Sequence, residues 1–254
     1  MGFLDFLKRK VASGPQKYDR PAIERLVQEN KKSGAPIVLK GVDMSKIDLS
    51  RLDLSGADFT ESILTDAIFT GCILRNVRIR RSDLQNASLR DADLTGSDWA
   101  QSNMRGADLV NANLTGANFY GAKMEGVKWQ GATFGGTMIS GAKMSGVNLE
   151  GVSFGRLDAV DAQMEGAILR NANLEGSILT GANLANADLT GANLRGAQMA
   201  CNLQHATLVN ADMTDASLRY GDAAGADFTG AILEGADLDG LALAGAIIAE
   251  EFKK

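Results

Sequence analysis

Between about Leu39 and Ile248 the chain repeats itself every five residues. Ala107-Asp108-Leu109-Val110-Asn111, Ala112-Asn113-Leu114-Thr115-Gly116 and Ala117-Asn118-Phe119-Tyr120-Gly121 are three successive units. A large apolar residue returns at every fifth position, a small one sits two places before it, and Asp or Asn usually lies between them. A helix advances about 100° per residue, so a period of five turns the large residue by about 140° per unit and builds no apolar stripe. An unbroken strand would send successive large residues to opposite faces. Alternation does hold inside each unit: Ala112 in, Asn113 out, Leu114 in. The chain must therefore bend after each unit, at pairs such as Thr115-Gly116, where Gly, Asn, Asp, Ser and Thr collect. Short extended segments joined by regular bends make a coil, and stacked coils make a solenoid in which no coil buries its own apolar face.

The Ala-Asp/Asn-Leu-x-x pattern over residues 37–248 resembles the pentapeptide repeat family. The resemblance implies an all-β solenoid, a right-handed quadrilateral β-helix with four units per coil. About 42 units then give about ten coils and a rod about 50 Å long at about 4.8 Å per coil. Some bacterial members that protect DNA gyrase from quinolones mimic duplex DNA in size, shape and negative charge. In others, two rods meet through their C-terminal ends.

Composition fits one folded unit. The 45% apolar content supports a core and argues against disorder. No apolar run approaches the length of a membrane span, and no signal-peptide pattern is present, so a cytoplasmic location is expected. Cys72 and Cys201 take inward small positions about six coils apart and read as reduced core residues.

Residues 1–36 differ from the rest. They carry eight Lys/Arg and four Asp/Glu, a net of about +4, against about −9 for the remainder. Pro21 to Lys32 reads as a short helix with Asp19 at its start, Ile23, Leu26 and Val27 on one face, and Gly34 past its end. Its natural role is to cap the first coil. Met1 to Lys10 places Phe3, Leu4, Phe6 and Leu7 before Lys8, Arg9 and Lys10. This is a segment for weak membrane association or partner docking, or a frayed terminus. The myristoylation pattern is not met, because Phe6 occupies the Ser/Thr position. Residues 249–254 form a C-terminal tail, and the apolar Ile247, Ile248 and Phe252 near it serve either a closing cap or a homodimer contact.

The register breaks once. Leu203 follows Met199 by four residues instead of five, so one bend residue is missing near Ala200. Leu157-Asp158-Ala159 exchanges the small and large positions, and Gly221-Asp222-Ala223 leaves a thin core.

The sequence contains no catalytic constellation, phosphate loop or metal-ligand cluster, and one histidine, His205, at a bend. No cofactor and no direct nucleic-acid binding are expected. The interchange of Asp with Asn suggests hydrogen bonding to the backbone rather than a ligand shell. Two surface features remain. Arg75, Arg78, Arg80 and Arg81 form a basic cluster near one end. In the four-sided arrangement Met138, Val160, Ile178 and Ala200 share one side, with Tyr120 beside them and Asp158 and Gln198 interrupting. The leading expectation is a scaffold that binds a protein partner through its faces. The alternatives are a DNA mimic acting on a type II topoisomerase and a membrane-surface scaffold.

Overall fold

The computed structural model describes residues 18–249 and Phe252. Among the described residues a helix, α1 (Arg20–Ser33), precedes a long run of five-residue units. Asp19 caps α1 through its carboxylate, which accepts the Ala22 amide at 2.9 Å. Gly34 ends the helix in the left-handed conformation and donates its N–H to the Asn30 carbonyl. Ile23 and Val27 are buried in the same core cluster as Ile37, Leu39 and Met44.

Each unit contributes one bridging residue rather than an extended strand. Asp58 pairs in parallel with Arg78, Arg78 with Asp98, and Asp98 with Asn118. The interval of 20 residues puts four units in each turn of the solenoid. The outward residues fall in four columns. The first contains Val38, Asp58, Met138 and Asp237, and the second Asp43, Ile63, Lys123 and Ala242. The third contains Asp48, Ile68, Lys128 and Ile247, and the fourth Asp53, Ile73, Thr133 and Ile232.

One unit shows how the coil is made. Ala112 and Leu114 are fully buried while Asn113 faces out. The Leu114 amide donates to the Thr133 carbonyl in the next coil, and the Asn113 amide to the Ala92 carbonyl in the coil before. The corner closes when the Ala117 amide donates back to the Leu114 carbonyl at 2.8 Å. That turn requires a positive φ at its third residue, here Gly116 at 66°. Asn and Asp stand in at many equivalent corners, Asn111 and Asp161 among them.

The corner residues also fit one another between coils. A left-handed Asn or Asp folds its side chain over the residue one coil further on, and that residue is commonly glycine. A Cβ on Gly131 would stand 2.3 Å from Asn111 Oδ1, and one on Gly96 2.6 Å from Asn76 Oδ1. His205 lies over Gly225 and Tyr220 over Gly240 in the same way.

The missing residue near Ala200 shortens the pairing interval. Asn183 bridges Asn202 and Gln198 bridges Ser217, 19 residues on, before the interval of 20 resumes at Asn202 and Asp222. The corner there closes with the Cys201 amide donating to the Met199 carbonyl at 2.7 Å, one residue shorter than every regular corner. Gly221 sits one coil above. A Cβ on it would stand 3.1 to 3.2 Å from the carbonyl oxygens of Cys201, Leu218 and Met199. The thin unit Gly221-Asp222-Ala223 is thus matched to the shortened corner beneath it. The exchanged pair Leu157 and Ala159 is buried on both counts, which conserves volume.

Candidate interaction surfaces

The side chains most suggestive of chemistry in the sequence are largely occupied by the scaffold. Outward Asp residues accept bonds from the corner two residues on. Asp93 Oδ1 takes both the Thr95 amide at 3.1 Å and its hydroxyl at 2.5 Å, and Asp212 does the same with Thr214. Buried hydroxyls at small inward positions use the spare acceptor capacity of corner carbonyls: Ser62 donates to Leu39 at 2.7 Å and Ser82 to Phe59 at 2.8 Å. Cys72 donates its Sγ–H to the Leu49 carbonyl. Both cysteines are free and buried, and burial raises the thiols to about 11 for Cys72 and about 12 for Cys201. That makes them poor nucleophiles.

The arginine cluster requires a correction. Arg75 belongs to the corner after the fourth column, while Arg78, Arg80 and Arg81 cluster at the first. None is a free positive charge. Arg75 pairs with Asp93 at 2.6 Å, Arg78 with Asp58 at 3.2 Å, Arg80 with Asp98 at 3.5 Å and Arg81 with Glu61 at 2.6 Å. The partners lie 18 or 20 residues away, so the stacking of coils brings them together. Asp58 takes both Arg78 and Lys40, each at 3.2 Å, with its side chain only 3% exposed. Burial works to raise its carboxyl pKa. The Thr60 hydroxyl and amide and the Lys40 ammonium overcome burial and hold it below the usual carboxylate range.

The apolar residues fall as the four-sided arrangement requires. Met138 and Ile178 lie in the first column with Asp158 between them, and Gln198 follows. Tyr120, Val160 and Ala200 occupy the adjoining corner positions, tied into the ladder through the carbonyls of Tyr120, Val160 and Ala200. Tyr120 is 54% exposed and Met138 39%, whereas Val160, Ile178 and Ala200 are half-buried. Asp158 is drawn toward the corner by the Ser140 hydroxyl at 2.6 Å. Ile63, Ile68 and Ile73 each occupy a different column and form no patch. Lys123 and Lys143 are direct neighbours in the second column.

The C-terminal end differs from the N-terminal end. Leu238, Leu241 and Leu243 are only partly buried, and Ile247 is exposed. A cavity of about 360 Å³ there is lined by Phe228, Leu233, Ile247, Ile248 and Phe252. The segment Met1 to Lys10, with Phe3, Leu4, Phe6, Leu7, Lys8, Arg9 and Lys10, lies outside the described residues. Among the described residues no group of His, Cys, Asp and Glu is arranged to hold a metal ion, and no helix is long and apolar enough to cross a membrane.

This arrangement defines a β-solenoid of five-residue units whose surface is set by coil-to-coil pairing. Pentapeptide repeats match residues 38–76, 82–121, 117–156, 160–196, 199–235 and 213–248, and the chain belongs to the pentapeptide repeat family. Among solved structures it is similar to HetL, a pentapeptide repeat protein involved in heterocyst differentiation regulation from the cyanobacterium Nostoc sp. strain PCC 7120. That likeness has 24% identity, covers 92% of this chain and 98% of that one, and has a TM-score of 0.38. It is also similar to QnrB1, a plasmid-mediated fluoroquinolone resistance protein, with 18% identity over 81% of this chain and 90% of that one and a TM-score of 0.43. A pentapeptide repeat protein from the thylakoid lumen of Arabidopsis thaliana is 37% identical, covering 42% of this chain and 68% of that one, with a TM-score of 0.25. No curated protein matches the chain significantly.

Proposed function

We propose that this protein is a non-catalytic scaffold, a right-handed four-sided rod of about ten coils capped by α1, that binds a protein partner through one side. The observation that carries this reading is the side bearing Tyr120, Met138, Val160, Ile178 and Ala200. There the exposed Tyr120 and Met138 and the half-buried Val160, Ile178 and Ala200 share one side, interrupted by Asp158 and Gln198. Large exposed apolar groups rimmed by polar ones are the common make-up of a partner surface. Changing Met138, Val160 and Ile178 together to Ser tests it. The expected result is loss of association with the partner captured by the unaltered protein, with the thermal midpoint nearly unchanged. Capture that is indifferent to the three changes removes this surface.

A second reading has its own support. The arginines of the N-terminal coils are each engaged by a carboxylate and form no open basic patch, and residues 37–254 as a whole carry a net charge of about −9. An acidic rod of this kind suits DNA mimicry toward a type II topoisomerase. Supercoiling by purified gyrase at micromolar rod concentration decides it: neither inhibition nor quinolone protection means the reading is wrong. The open C-terminal end suits a homodimer contact, which sedimentation equilibrium of the full chain measures. Flotation with anionic liposomes, with and without Met1 to Lys10, measures weak membrane association.

A further inference from the structure

The ladder that joins each coil to the next is interrupted at one interior place. Over most of the rod the amide of the large residue and that of the left-handed corner residue donate to carbonyls in the following coil, as Leu114 does to Thr133 and Gly116 to Gly135. Among the described residues, the amides of Gly126, Trp129, Gly131, Phe134, Gly136 and Gly155 make no such bond, nor do those of Asn148, Ser153 and Asp158 to the coil before. The bridges agree. Asp108 pairs with Lys128 and Asn148 with Ile168, but nothing pairs Lys128 with Asn148, and the fourth column is likewise open between Thr133 and Ser153. The same two coils remain joined in the first and second columns, through Phe119 to Met138 and Met124 to Lys143, each at 2.8 Å.

The cause is legible in side-chain volume. Aromatic residues elsewhere in the core follow an Ala or Ser two places earlier: Phe59 follows Ala57, Phe69 Ala67, Trp99 Ser97, Phe119 Ala117 and Phe228 Ala226. Trp129 instead follows Val127, and Phe154 follows Val152. Three rings crowd this place. Trp129 and Phe134 have centroids 5.5 Å apart, and Phe134 and Phe154 4.9 Å apart with planes 57° to one another. Coils spaced at about 4.8 Å leave room for rings stacked flat, not for rings tilted this far. Trp99 and Phe119 stack one coil apart with planes only 23° apart, and their ladder is closed. Excess volume in a packed core is relieved by backbone displacement. The indole N–H of Trp129 is buried and has no hydrogen-bond partner, a second mark of imperfect packing.

We propose that the rod is articulated here. Two stacks of coils are hinged along the first and second columns and part along a seam on the third and fourth, between residues 126–136 and 146–156. Amides without a partner in the neighbouring coil and glycines at Gly131, Gly135, Gly151 and Gly155 make the seam the least costly place for the rod to bend toward a partner. This holds whichever partner the rod binds.

Hydrogen exchange of the full chain, followed amide by amide by NMR, tests it. The amides of Trp129, Gly131, Phe134 and Gly136 are expected to exchange at least 100-fold faster than those of Phe119, Gly121 and Met124, which cross the same interface on the closed columns. Equal protection on all four columns overturns the seam. Replacing Val127 and Val152 together by Ala is expected to slow seam exchange at least tenfold, and Phe134→Leu provides a second route to the same relief. Relieved variants whose seam amides exchange as fast as before overturn the packing cause.

Discussion

At the scale of single residues, the fold is set by which atoms meet one coil away. Gly221 shows this most sharply, because its restriction comes from space and not from a positive φ. The shortened corner at Ala200-Cys201 brings three carbonyl oxygens to within 3.1 to 3.2 Å of where a Cβ would be. Those atoms are backbone and held by the ladder, so they cannot yield as a flexible side chain would. Gly221→Ala is expected to cost about 1–3 kcal/mol, read from urea unfolding. Inserting one Gly between Ala200 and Cys201 restores a five-residue corner, and in that background the same Ala should be tolerated. A substitution equally costly in both backgrounds would separate Gly221 from the deletion.

At the scale of elements, α1 is the piece among the described residues that the five-residue period does not generate. Its Ile23 is fully buried and Val27 nearly so, and Arg20 reaches the Ser50 carbonyl at 3.2 Å. Ile23→Ala should cost about 2–5 kcal/mol locally. A solenoid is stabilised by neighbour contacts, so the loss should appear as faster exchange at Leu39, Met44 and Leu49 while Leu174 and Leu194 are unchanged. The helix was legible because Asp19 and Gly34 are ordinary cap residues at the right spacing. Inward and outward positions were legible for the same local reason: Ala-x-Leu alternation is a property of three consecutive residues. What depends on the 20-residue interval was not. The Arg75–Asp93 and Arg78–Asp58 pairs join residues 18 and 20 apart, so the arginines read as a basic cluster along the chain and became ion pairs only when the coils stacked. The sequence does carry a trace of that interval, in the glycines that follow Asn76, Asn111 and Asp161 by 20 residues, and it explains the choice of Gly at those corners. The seam was hidden because Val127 and Val152 each satisfy the repeat on their own. Only their pairing with Trp129 and Phe154 overfills it.

At the scale of the whole molecule, the charges repeat along the rod and their effects accumulate. Burial works to raise the carboxyl pKa of Asp93 and Asp188, but the Thr95 and Thr190 hydroxyls and the paired Arg75 and Arg170 hold both below the ordinary value. Hydrogen bonds from Thr214 do the same for Asp212. A folded pKa below the unfolded value near 3.9 means the unfolded chain binds protons first as pH falls. These carboxylates therefore contribute stability that is complete above about pH 5 and is lost as pH drops through and below about 4. The two cysteines act on the opposite flank. Their thiols are raised to about 11 and about 12, so above about pH 9 the unfolded chain releases protons that the folded one retains. Stability then falls as pH rises. Thermal midpoints measured across pH should form a plateau with both shoulders. Changing Cys72 and Cys201 together to Ala should move the alkaline shoulder upward and leave the acid shoulder in place. An alkaline shoulder that does not move would mean that the buried thiols do not carry that loss.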